Sequence, residues 1–105
     1  MMTMPNGKEF QTTFWEDFTI ADAFGDGAIK DTYKRAFKHW KDDFTYLTEL
    51  VIVLNLKCWQ WYERGNEARS KMYSDMYYEA DAYALDVIER EHSEEKANYY
   101  FEMTD

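Results

Sequence analysis

The sequence predicts an all-α fold, a compact single-domain bundle of four to five helices with the third helix central. Three observations lead there. Apolar residues recur at helical spacing, most clearly Ile29, Tyr33, Ala36, Phe37 and Trp40 at i, i+4, i+7, i+8 and i+11. Glycine occurs only at Gly7, Gly25, Gly27 and Gly65, where those patterns break. One segment, "LTELVIVLNLKCWQWY", is apolar around most of its circumference and has no second strand-like run to pair with. At 105 residues and 46% hydrophobic composition the chain is long and apolar enough to build one core.

Residues 1–12, with the single proline Pro5, read as a flexible N-terminal arm, and 13–105 as one helical domain. "TFWE" places Thr13 at N-cap and Glu16 at N3, a capping-box spacing. The first helix is predicted over Phe14–Phe24, with Phe14, Phe18 and Ala21 on one face. "GDG" at 25–27 is the break before a second helix over Ala28–Lys41. The third is predicted over Phe44–Arg64. Leu47, Leu50, Val51, Leu54, Cys58, Trp61 and Tyr62 form its broad face, and Ile52, Leu56 and Trp59 a second one. "RGN" supplies a C′ glycine followed by an Asn N-cap, hence a tight αα-hairpin. A fourth helix over Glu67–Arg90 and a short fifth over Ser93–Glu102 complete the bundle.

The fourth helix carries "KMYSDMYYEADAYALD", four tyrosines among four carboxylates. On a helical wheel Met72, Met76, Ala80, Tyr83 and Val87 cluster, and Tyr73, Tyr77, Ala84 and Ile88 widen that core side. Asp75, Glu79 and Asp86 fall on one stripe away from it. Tyr78 and Leu85, bracketed by Ser74 and Asp81, lie on the outer side. Either the fifth helix covers this pair with Tyr99, Tyr100 or Phe101, or it is an exposed aromatic patch in an acidic field, which marks an interface.

Charge is uneven. The net charge is −9. Yet residues 30–41 hold Lys30, Lys34, Arg35, Lys38 and Lys41 against Asp31 alone, and Lys30, Lys34, Lys38 and Lys41 share a helix face. Either this face is solvated or it pairs with the chain's own acidic helices. Direct nucleic-acid binding is disfavoured by the global field.

Chemistry is not encoded in any recognisable pattern. The single cysteine, Cys58, excludes an intrachain disulfide and a thiolate zinc cluster, and reads as a small buried hydrophobe. Glu89-x-x-His92 has the spacing of carboxylate-bridged di-iron bundles, but such a site needs a second motif, and the other histidine, His39, supplies none. No phosphate-cradling glycine loop is present. No cofactor, no metal and no enzymatic activity are expected. The longest apolar run, "LVIVLNL", falls far short of the roughly 20 residues of a membrane span, and a cytoplasmic location is expected.

The stretches "TFWEDFTIADAFGDGAIKDTYKRAF", "YLTELVIVLNLKCWQWYERGN" and "ADAYALD" resemble an uncharacterised family of small acidic helical proteins from mobile elements (plasmid, prophage or conjugative) of gut-type Firmicutes. The resemblance spans about Thr13–Asp86. It implies a mobile-element setting and carries no catalytic residue over. In that setting the leading expectation is a non-enzymatic protein-binding module, an acidic inhibitor of a host defence nuclease such as an anti-CRISPR, with DNA mimicry as its route. Its contact face would be Asp75, Tyr78, Glu79, Asp81, Leu85 and Asp86. The alternative is a self-associating accessory protein, a homodimer whose acidic and basic faces pair between copies. The third is a small nucleic-acid-binding regulator using the lysine stripe.

Overall fold

The computed structural model describes residues 2–3, 9–10 and 13–104. Two short strands, β1 (Met2–Thr3) and β2 (Glu9–Phe10), pair antiparallel with Met2 opposite Phe10. The remainder of the expected N-terminal arm lies outside the described residues. Among the described residues five helices make the fold: α1 (Phe14–Phe24), α2 (Asp26–Trp40), α3 (Phe44–Glu63), α4 (Glu67–Glu91) and α5 (Glu94–Thr104).

α1 has the predicted bounds but not the predicted cap. Thr13 has helical backbone angles and its side chain makes no capping bond; its carbonyl instead accepts from Asp17 N at 2.9 Å. A capping hydroxyl reaches the N2 or N3 amide only from an extended backbone, so the box does not form. α1 buries Phe14, Phe18 and Ala21 as expected. The break before α2 is one residue, not three. Gly25 sits at φ +117°, its N–H closes α1 on Ala21 and its carbonyl opens α2 at Ile29. α2 therefore starts at Asp26, ahead of the predicted Ala28, and Gly27 lies inside its first turn. Ile29 and Tyr33 are buried, while Ala36, Phe37 and Trp40 pack half-buried against the core.

α3 is the centre of the bundle. Asp43 caps it, accepting from Tyr46 N at 3.3 Å. Every residue from Leu47 to Leu54 is buried, Thr48 and Glu49 included. Thr48 satisfies its hydroxyl by donating to the Phe44 carbonyl at 2.8 Å. The last turn departs from the expected pattern: Trp59 and Tyr62 are 55% and 58% exposed. The cause is the length of α5. It packs against the start of α3 through Phe44, which touches the Tyr99 and Tyr100 rings. Its 11 residues reach only about 16 Å along the bundle.

The αα-hairpin forms as predicted. Gly65 takes φ +79°, Asn66 N bonds the Trp61 carbonyl at 2.9 Å, and the Asn66 side chain accepts from Arg69 N at 3.0 Å. α4 lays Tyr73, Met76, Ala80, Ala84 and Val87 into the core. It ends at His92, which adopts the left-handed conformation usual for a helix stop. The Ser93 hydroxyl then accepts from Lys96 N at the start of α5.

Candidate functional site

The outer side of α4 is bare. Tyr78 is 64% exposed and Leu85 38% exposed, so α5 does not cover them. Its rotation is set by another ring. Tyr100 is buried and donates its hydroxyl to Asp81 on α4, which turns Phe101 outward to 49% exposure. Burial, and then the bond to Asp81, push the Tyr100 hydroxyl far above its ordinary pKa, so it stays a donor. Asp81, one of the six predicted contact residues, is thereby half-buried and engaged in holding α5. Tyr100→Phe removes a donor to a charged acceptor and should cost about 1.5–3 kcal/mol. Hydrogen exchange should accelerate across 94–104 in that variant while α3 stays protected; unchanged exchange in α5 would show that the bond does not dock it.

The other predicted residues are placed as follows. Tyr78 leans against Tyr77, with ring centroids 5.2 Å apart. Glu79 accepts the Tyr33 hydroxyl at 2.5 Å, joining α4 to α2. Burial and this bond raise the Tyr33 pKa. Asp75 pairs with Lys71 at 2.9 Å and Asp86 with Arg90 at 3.2 Å. Both pairs are exposed i, i+4 contacts, worth only a few tenths of a kcal/mol and readily exchanged for another partner. The structure thus brings Tyr78 and Leu85 together with Asp75, Glu79 and Asp86 on one helix, and withdraws Asp81.

The basic stripe is exposed at Lys30, Lys34 and Lys38 and half-exposed at Lys41. None of these, nor Arg35, forms an ion pair among the described residues. Elsewhere Lys57, Arg69, Lys71, Arg90 and Lys96 each pair with a carboxylate, and Arg64 stacks on the Trp61 ring.

Two features escape a reading of the sequence. The first is a buried polar network between α1, α3 and α4. Lys57, 1% exposed, donates to Thr19 Oγ1 (2.8 Å), Asp22 Oδ2 (2.9 Å) and Gln60 Oε1 (3.1 Å), and lies 4.2 Å from the Trp15 ring centroid. Asp22 Oδ1 accepts the Tyr73 hydroxyl at 2.5 Å, and the Asp22 carbonyl accepts from Arg69. Burial lowers the Lys57 pKa, and Asp22 opposes that shift. All three ammonium hydrogens are spent inside the protein, so the network is structural rather than a site. Lys57 lies on the same side of α3 as Leu50 and Leu54, and that position was the available signal. Cys58 is half-buried rather than buried, its sulfur 3.4 Å from the Ser70 hydroxyl. The second feature is an open groove of about 1000 Å³ between α1 and α2, lined by Ile20, Phe24, Ala28, Arg35, His39 and Trp40 among others. Ile20 and Phe24 are 59% and 80% exposed there.

Among the described residues no group of three or more His, Cys, Asp or Glu is arranged to hold a metal, and Glu89 and His92 are exposed at the end of α4. Among the described residues no helix is long and apolar enough to cross a membrane. No family model, no curated protein and no solved structure matches this chain.

Proposed function

We propose that this chain is a non-enzymatic protein-binding module whose α4 outer face engages a basic groove of a nucleic-acid-handling protein. The observation that supports this is the exposure of Tyr78 and Leu85 on a helix whose flanks carry Asp75, Glu79 and Asp86. Aromatic residues are enriched in interface centres, where their rigid rings lose little entropy on contact. Carboxylates around them compete for lysines and arginines by the charge pairing that phosphates use, and a ring adds area where a base would stack. The partner class, a host defence nuclease inhibited by an acidic decoy in the manner of an anti-CRISPR, follows from the resemblance to mobile-element proteins.

The contact set is Tyr78 and Leu85 with Asp75, Glu79 and Asp86; Asp81 acts through α5. Tyr78→Ala with Leu85→Ala changes only exposed side chains and should shift stability by about 0.5 kcal/mol or less per site. Tagged wild-type protein is expected to capture one nucleic-acid-cleaving enzyme from host lysate at low salt, release it at high salt and inhibit its cleavage. The double variant, with unchanged helical circular dichroism, should do neither. Equal capture and inhibition by the variant would remove this face from the function, and a captured protein whose cleavage is not inhibited would remove the nuclease reading.

A further inference from the structure

The charged stripes of α2 and α4 have matching geometry. Lys30, Lys34, Lys38 and Lys41 stand at i, i+4, i+8 and i+11; Asp75, Glu79 and Asp86 stand at i, i+4 and i+11. Both span twelve residues, about 18 Å of helix. Tyr33 bonds Glu79, and the Phe37 ring meets Tyr83 at 5.2 Å between centroids. Each contact joins residues 46 apart, so the two helices run side by side in the same direction. The stripes begin 45 apart at Lys30 and Asp75 and end 45 apart at Lys41 and Asp86, so they lie in register. Even so, no ion pair among the described residues joins them, and residues 30–41 hold five cations unpaired there in a chain of net charge −9.

We infer that this α2–α4 face seats a second copy of the chain about a two-fold axis parallel to the two helices, with the lysine stripe of each copy on the acidic stripe of the other. The axis direction follows from charge. A two-fold lying across the helices would set lysine stripe on lysine stripe, and like charges opposed in an interface repel. A two-fold along them exchanges α2 for α4 and preserves their direction, so Lys30 to Lys41 faces Asp75 to Asp86 in register at both halves of a closed, isologous contact. Lys71 and Arg90, which hold Asp75 and Asp86 in exposed pairs, yield to the incoming lysines at little cost. The dimer surface shares Asp75, Glu79 and Asp86 with the proposed partner face but not Tyr78 or Leu85, so Tyr78→Ala with Leu85→Ala should leave the dimer intact, and the two readings fail separately.

Sedimentation equilibrium of the full chain tests this at an ionic strength of about 0.01 M, where charges act over about 30 Å, and at about 1 M, where they act over about 3 Å. A dimer at the lower value that dissociates at the higher is expected. Lys30→Glu with Lys41→Glu should give a monomer, and so should Asp75→Lys with Asp86→Lys, both with unchanged circular dichroism. Mixed in equal amounts, the two variants restore opposite charges at the 30/75 and 41/86 contacts in both halves and should form a heterodimer. A wild-type monomer at low ionic strength overturns the inference, as does a dimer indifferent to both reversals. If that monomer instead shifts labelled duplex DNA through the same lysines, the stripe belongs to nucleic acid.

Discussion

Lys57→Ala is expected to be the most damaging single substitution in this protein, costing about 3–5 kcal/mol. Folded domains of this size are stable by only about 5–15 kcal/mol, so most or all of the native population is at risk. The argument rests on what is left behind. Asp22 is 9% exposed at its side chain and has Lys57 as its counter-charge. Without the ammonium the carboxylate is stranded with the Tyr73 hydroxyl as its remaining side-chain donor, and Thr19 and Gln60 each lose a donor as well. Urea unfolding followed by circular dichroism measures the loss. Lys57→Met combined with Asp22→Leu and Tyr73→Phe removes the charge, its partner and the dependent hydroxyl together. It should lose much less than Lys57→Ala, because a buried pair replaced by apolar groups of similar volume is often neutral or better. A triple variant as unstable as Lys57→Ala would mean that packing around Trp15 and Phe18, not charge pairing, carries the effect.

Glu49→Gln is expected to stabilise the protein at pH 8 and to leave it unchanged near pH 4. Glu49 is 8% exposed on α3, its Oε2 has no hydrogen-bond partner, and Asp43 lies close enough to repel it. Tyr99 of α5 is the titratable group facing it across the helix interface. Burial first, and Asp43 second, push its carboxyl up from 4.5 to about 7. The folded state therefore holds a proton that the unfolded chain releases near pH 4.5. The carboxyl has no effect on stability below about pH 4.5. Its cost then grows as pH rises, and levels off above about pH 7 at about 3 kcal/mol. Glutamine never ionises and escapes that cost. Urea midpoints of both proteins at pH 4 and pH 8 decide the matter; a difference between them that is the same at both values would show that Glu49 is not the titrating group.

Much of the fold is legible from local pattern. α1 ends where its periodicity meets Gly25, α3 and α4 are separated by Gly65 and Asn66, and the outward position of Tyr78 and Leu85 follows from 100° per residue. The misses share a cause. Thr13 has the right residue type for a cap but the wrong backbone angle, which the chain entering α1 determines. Trp59 and Tyr62 have apolar spacing on α3, but no helix reaches them. Asp81 has the same chemistry as Asp75 and Asp86 and differs from them in having Tyr100 opposite.

The sequence by itself determined that the helices number four to five, that they part near Gly25 and at Gly65, that α3 lies at the centre, and which angle of most helices turns inward. These depend on neighbours within a few positions, which periodicity and glycine record directly. Tertiary structure alone decided which side chains those angles meet. The bonds Lys57–Asp22, Tyr33–Glu79 and Tyr73–Asp22 join residues 35, 46 and 51 positions apart. A helical wheel gives direction about an axis but not the neighbour that fills it. The burial of a charge and the exposure of a ring are therefore settled only once the helices have packed.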